Sequence, residues 1–222
     1  MQAKKTLGQN FLKNKKIVQK MITKADLKSD DLVLEIGPGK GFLTAELLKT
    51  GNKIIVLEKD HRLIDFLKKK FSNNTKTLKI IEGDALKLNY QKLSLKDKKF
   101  IIIANLPYYI TGKFLSNILS NKIQPKKMIL LLQKEVVDRI VDCQKNSILS
   151  ISVQSYSQVK KIMSVSRTNF SPQPKVDSAI LEISNISKKF FTKEITEKKF
   201  FDFIKLSFSS KRKKMIKNLS KK

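Results

Sequence analysis

Leu32-Val-Leu-Glu-Ile36 runs without interruption into Gly37-Pro-Gly-Lys-Gly41 and then into Phe42-Leu-Thr-Ala-Glu-Leu-Leu48. The first segment is apolar without strict alternation, as expected of a strand covered on both faces of a parallel sheet. The last has helical periodicity. Between them, residues without β-carbons let a ligand approach the backbone at the start of a helix, so the whole reads as the first unit of a Rossmann-like nucleotide site. The G-x-G-x-G spacing is not the G-x-G-x-x-G of dinucleotide sites.

Three further strands follow, each ending in a polar residue. Lys53-Ile-Ile-Val-Leu57 ends at Glu58, an acid placed to accept hydrogen bonds from both ribose hydroxyls of an adenosine ligand, or else a solvated helix-start residue. Leu78-Lys-Ile-Ile81 leads to Gly83-Asp84. Phe100-Ile-Ile-Ile-Ala104 opens into Asn105-Leu106-Pro107-Tyr108. In open α/β sheets the ligand crevice lies outside the carboxyl ends of the strands, which is where these residues fall. Asn105 offers an amide oxygen, Pro107 biases Leu106 towards an extended conformation that aims its carbonyl outward, and Tyr108 presents a flat ring. Together they form a cradle for an amino-substituted base. Read alone, the same tetrapeptide is also an ordinary strand-ending turn.

Upstream, Ile17, Val18, Met21, Ile22 and Ala25 share one face of a helix preceded by Gly8-Gln-Asn-Phe-Leu12. Downstream, the pattern predicts helices over 63–71 and 113–119, a strand over 128–133, a helix opening at 133–137, a helix over 146–157 and strands over 159–165 and 176–183. After Ser184 the chain mixes charge with phenylalanine, and the spacing from Phe200 onward suggests an amphipathic helix whose apolar stripe is core. Lys211-Arg-Lys-Lys214 continues it, either as a phosphate-binding cluster or as a solvated terminus.

Forty-seven Lys and Arg against 19 Asp and Glu give a net charge of +28, which points to a polyanionic partner, nucleic acid first. A lysine-rich codon bias produces the same excess without a partner. One cysteine, Cys143, and one histidine, His61, leave no Cys-rich or imidazole-based metal centre to propose. No apolar run approaches the ~20 residues of a membrane span, and Met1–Phe11 lacks the apolar centre of a secretory signal, so a cytoplasmic protein is expected.

Taken in order, Leu7-Gly-Gln-Asn-Phe-Leu12, Leu34-Glu-Ile-Gly-Pro-Gly39, Gly83-Asp-Ala-Leu86, Asn105-Leu-Pro-Tyr108, Leu132-Gln-Lys-Glu-Val136 and Phe170-Ser-Pro-Gln-Pro-Lys-Val-Asp-Ser178 resemble the ribosomal RNA adenine dimethyltransferases, a family that includes the erythromycin-resistance methyltransferases. The resemblance covers nearly the whole chain and is nearer the small-subunit housekeeping branch. It implies an α/β, Rossmann-like S-adenosyl-L-methionine methyltransferase domain over 1–184 and a shortened, basic helical region over 185–222 that contacts RNA. It implies cofactor contacts at Asn10, Leu12, Gly37, Gly39, Glu58, Asp84 and Asn105, with Asp84 at the adenine amine. Asn105, Leu106, Pro107 and Tyr108 would hold the target adenine, and Phe170 would cover its other face. Lys211, Arg212, Lys213 and Lys214 would bind RNA. The implied partner is ribosomal RNA in a small-subunit precursor, met by a monomer without a membrane.

Two departures stand out. Asn146-Ser147 replaces the family's usual Tyr-Gly, and the family's carboxyl-terminal helices continue well past an Arg-Arg-Lys run, whereas this chain stops at Lys222. The rival readings are a large-subunit, resistance-type methyltransferase, a non-catalytic nucleic-acid-binding factor on the same scaffold and, more distantly, a DNA adenine methyltransferase.

Overall fold

The computed structural model describes residue 4 and residues 7–142, 144 and 146–210. Cys143 and the Lys211–Lys214 cluster lie outside the described residues. Seven strands form one sheet: β2 (Leu32–Ile36), β3 (Lys53–Glu58), β4 (Leu78–Glu82), β5 (Phe100–Asn105), β6 (Lys127–Gln133), β7 (Gln158–Val165) and β9 (Ser178–Ser184), in the order β4-β3-β2-β5-β6-β9-β7. The first five in that order run parallel, and β9 and β7 are antiparallel additions at one edge.

The parallel strands need crossovers, and helices supply them. They are α2 (Phe42–Leu47) between β2 and β3, α3 (His61–Lys70) between β3 and β4, and α4 (Thr111–Ser120) between β5 and β6. Alternate residues of each strand enter opposite cores. Val33, Val56, Ile101 and Ile103 pack with α2, α3 and α1 (Lys15–Ala25). Leu34, Ile55, Ile102 and Ala104 pack with α4, α5 (Lys134–Val141) and α6 (Ile148–Gln154). Burial on both faces is why these strands are apolar at successive positions.

The predicted elements all form, with bounds that shift by a few residues. The helix expected over 146–157 is shorter, because Ser147 and Ser150 make a reciprocal capping box at its start and the chain turns at Ser155 into β7. Ser147 therefore starts this helix with its own side chain. The last helix among the described residues, α7 (Glu197–Ser207), begins one turn before Phe200, capped by Thr196. Phe191, Phe200 and Phe201 build an aromatic cluster with Tyr156, whose ring lies 5.0 Å from Phe191 and 5.9 Å from Phe201. Glu197 accepts from both the Tyr156 hydroxyl and Lys188 Nζ, which joins α7 to the α6 side of the sheet. Phe203 stays about half exposed, so the stripe from Phe200 onward is core only in part.

A ribbon unforeseen in the sequence pairs β1 (Phe11–Leu12) with β8 (Phe170–Ser171). Lys13 N–H donates to the Asn169 carbonyl beside it, and Asn14, the cap of α1, donates to Asn169 Oδ1. The amino-terminal segment is thereby fastened across the carboxyl ends of the parallel strands.

Candidate active site

The strand order reverses between β2 and β5, and the crevice outside their carboxyl ends is the expected ligand position. A cavity of about 340 Å³ opens there, lined by the glycine turn, the ends of β3 and β5, Gly83-Asp84 and the segment from Leu7 to Lys13. Gly37 and Gly39 both have left-handed backbones, φ +65° and +58°. At Gly39 a β-carbon would lie 2.7 Å from the Phe11 ring, so only glycine fits beneath the amino-terminal segment.

Glu58, 7% exposed, reaches back to that turn. Its Oε2 accepts from Gly39 N–H at 3.1 Å, and Oε1 accepts from Lys59 and Asp60 N–H at 2.9 Å each. Burial raises its pKa, and these donors oppose the rise. Three of roughly four acceptor positions on the carboxylate are thus filled by backbone. Glu58 is first a clip on the glycine turn, with one acceptor position left for a ligand hydroxyl. Replacing it with alanine is expected to weaken binding of an adenosine-type cofactor by about 1.5–3 kcal/mol and to lower thermal stability as well. Wild-type affinity by calorimetry in that variant would remove Glu58 from the site.

Asp84 Oδ1 caps the short 3₁₀ turn at Ala85–Lys87, and Oδ2 pairs with Lys59 Nζ at 2.8 Å. The Lys59 ammonium holds the Asp84 carboxyl below its ordinary range. At the end of β5, Asn105 Nδ2 donates to the Asn10 carbonyl at 2.9 Å, which fixes the orientation of the amide. Among the described residues, no donor reaches Asn105 Oδ1 or the Leu106 carbonyl, so both are available as acceptors. The Leu106 side chain itself is buried, and its N–H is taken by the Leu131 carbonyl. Pro107 is extended and starts the 3₁₀ turn Tyr108–Ile110. The Tyr108 hydroxyl meets Ser178 Oγ at 2.9 Å, and burial raises its pKa. Its ring is consequently anchored at the far end.

Phe170 requires a correction. Expected over the second face of a base, it is 2% exposed and packed in the same core as α1–α3, paired through β8 with Leu12. Only its neighbour Ser171 borders the cavity. Alternation along β8 puts one residue inward and the next outward, and the inward one is Phe170.

Three wall residues escaped the sequence reading. Gln9 Nε2 donates to Asp60 Oδ2 at 2.9 Å, tying the amino-terminal segment to the start of α3. Arg62, with Gln9 and Lys4, holds the Asp60 carboxyl far below its ordinary range. Tyr109 is 61% exposed at the mouth, against Gly8 and near Pro107. Glu35 is 1% exposed and borders the cavity below the glycine turn, with Oε2 accepting from Thr44 Oγ1 at 2.7 Å. Burial pushes its pKa up to about 8. A lone acid inside an apolar strand was a visible signal for it.

The ribosomal RNA adenine dimethylase family model matches residues 1–222. The chain belongs to this family. Among its relatives, the ribosomal RNA small subunit methyltransferase A of Mycoplasma capricolum is 40% identical over 227 residues, covering 99% of this chain and 84% of that protein. The protein of the same name from Mycoplasma mobile is 42% identical over 221 residues, covering 97% and 82%. A crystal structure of a dimethyladenosine transferase from Plasmodium falciparum superposes with a TM-score of 0.81 at 32% identity, over 95% of this chain and 75% of that one. The 23S rRNA methyltransferase ErmE superposes with a TM-score of 0.78 at 25% identity, over 96% and 84%. In this adenine dimethylase, the strand-end residues singled out above converge on one cavity.

Proposed function

We propose that this chain transfers methyl groups from S-adenosyl-L-methionine to the exocyclic amine of adenines in small-subunit ribosomal RNA, dimethylating two adjacent bases during subunit maturation. The observation that carries the reading is the pair of open acceptors, Asn105 Oδ1 and the Leu106 carbonyl, on the same cavity as the glycine turn. Small-subunit relatives at 40–42% identity favour that substrate over large-subunit RNA.

The cavity fits the cofactor: Gly37 and Gly39 bring backbone without β-carbons to its wall, Glu58 has an acceptor left for a ribose hydroxyl, and Asp84 lines the same space. Asn10 and Leu12 close it from the amino-terminal side. When bound, S-adenosyl-L-methionine supplies an electrophilic methyl group. The protein's own work is positioning and electrostatics. Adenine's amine is a poor nucleophile because its lone pair is delocalised into the ring. Acceptance of both amine hydrogens by Asn105 and Leu106 favours a tetrahedral nitrogen with its lone pair directed at the methyl carbon. Pro107 holds the Leu106 carbonyl in place, and Tyr108 stacks on the base, a contact worth about 1–3 kcal/mol. Once methylated, the cationic amine is acidic enough to lose its proton to water, so a strong general base is unnecessary.

Methylation of separated subunits in vitro tests the substrate: label is expected in small-subunit RNA, and label confined to large-subunit RNA would establish the resistance-type reading. We assign residues 1–184 to catalysis and 185–222 to RNA contact, in a cytoplasmic monomer. Among the described residues, no helix is long and apolar enough to cross a membrane. Neutralising Lys211, Arg212, Lys213 and Lys214 together is expected to weaken RNA binding across sequences. It should also flatten the salt dependence by roughly 0.7–0.9 in logarithmic slope per lost phosphate contact, and spare cofactor affinity. Salt-titrated binding with unchanged affinity and slope would mark the cluster as compositional drift.

A further inference from the structure

Of the large apolar side chains left exposed among the described residues, Tyr109 is the most exposed at 61%, and it alone borders the cavity. Its place follows from the turn that carries it. Tyr108 and Tyr109 open the 3₁₀ turn Tyr108–Ile110, in which successive side chains point about 120° apart. Tyr108 leaves towards β9, where its hydroxyl meets Ser178 Oγ. Tyr109 leaves towards the amino-terminal segment. Gly8 there has a left-handed backbone, φ +60°, and a β-carbon on it would lie 3.4 Å from the Tyr109 ring and 3.6 Å from Pro107 Cβ. One edge of the ring is therefore backed by main chain and proline, and the rest faces solvent. Among the described residues no hydrogen bond holds its hydroxyl, so the ring itself is what the turn presents.

A single exposed aromatic is ordinary on a protein surface. This one is set apart by its distance from the base cradle: one peptide, about 3.8 Å between α-carbons, separates it from Tyr108. RNA supplies the matching need. Drawing one adenine out of a strand into the Asn105 cradle strips a stacking face from the base beside it, and proteins that read single strands replace such faces with aromatic rings.

We propose that Tyr109 is the stacking platform for the nucleotide next to the target adenine, so that the two tyrosines hold two consecutive bases of one RNA strand. The inference rests on the adenine-in-RNA reading above and adds a second base site to it. Every base has a face to stack, and a purine has the larger one, so the site favours a purine neighbour. A pair of adjacent adenines fills both positions.

The test is a cycle with the full chain on small-subunit RNA fragments, combining Tyr109→Ala with removal of the base on either side of the target adenine. Tyr109→Ala is expected to raise KM for RNA by about 5–150-fold, the equivalent of one base–aromatic stack, with kcat and S-adenosylmethionine affinity close to wild type. Tyr109→Phe should restore KM. Loss of the stacked neighbour should cost the wild type a similar factor and cost Tyr109→Ala almost nothing further, because groups in contact are not additive. A fluorescent adenine analogue at that neighbour should be quenched on binding the wild type or Tyr109→Phe and stay bright with Tyr109→Ala. Additive losses at both flanks, or a normal KM in Tyr109→Ala, overturn the proposal. So does a Tyr109→Ala defect that shows in cofactor affinity or thermal stability, which would make the ring a wall of the cofactor cavity or a prop for Gly8. Methylation of large-subunit RNA alone would instead overturn the substrate reading, and the same cycle on that RNA then decides Tyr109.

Discussion

Replacing Asn105 with alanine is expected to lower the rate of methyl transfer by about 10²–10³, the loss typical of removing one preorganised polar group that acts on the reacting centre. The substitution deletes the Oδ1 acceptor that would hold the adenine amine. It also deletes the Nδ2 donor that ties β5 to the Asn10 carbonyl. Cofactor affinity should fall less, because Glu58, Asp84 and the glycine turn are untouched. Asn105→Asp separates the two functions: it keeps an acceptor and loses the tether, placing a carboxylate against the Asn10 carbonyl. If orientation of the acceptor matters, Asp should also be severely impaired. Single-turnover methylation of small-subunit ribosomal RNA, with cofactor binding measured in parallel, decides the matter. Near-normal turnover in Asn105→Ala would sink the mechanism.

The strands and their order of polar ends were legible because burial on both faces leaves a local mark. An apolar run such as Phe100-Ile-Ile-Ile-Ala104 has few alternatives, and Glu58, Asp84 and Asn105 each follow one. The ribbon between Phe11–Leu12 and Phe170–Ser171 was not legible, since two residues per strand carry no periodicity and the partners lie far apart in the chain. That same pairing turned Phe170 inward, which no local pattern encodes. The tether from Gln9 to Asp60 is equally long-range. For Glu58 the sequence indicated the place but not the occupancy: the backbone of Gly39, Lys59 and Asp60 already uses most of its acceptors. Helix limits moved where a side-chain cap, as at Ser147 and Thr196, overrode the apolar pattern.

Burial of Glu35 also makes folding stability depend on pH in a direction opposite to that of a paired carboxylate. Its pKa rises from 4.5 to about 8 on folding, with desolvation the main cause and Thr44 opposing it. Between those two values the folded state holds a proton that the unfolded chain has released. The stabilising contribution is therefore complete below pH 4.5 and is lost, by about 1.4 kcal/mol per pH unit, as pH rises towards 8. Above that value the folded-state carboxyl is ionised too and the loss stops growing. Glu35→Gln has no proton to lose and mimics the neutral carboxyl, so it should be close to wild type in acid and progressively more stable at higher pH. Urea unfolding of both proteins across this range reads the difference directly, with contributions from other titrating groups cancelling. Parallel stability curves would show that Glu35 is solvated or paired with a cation.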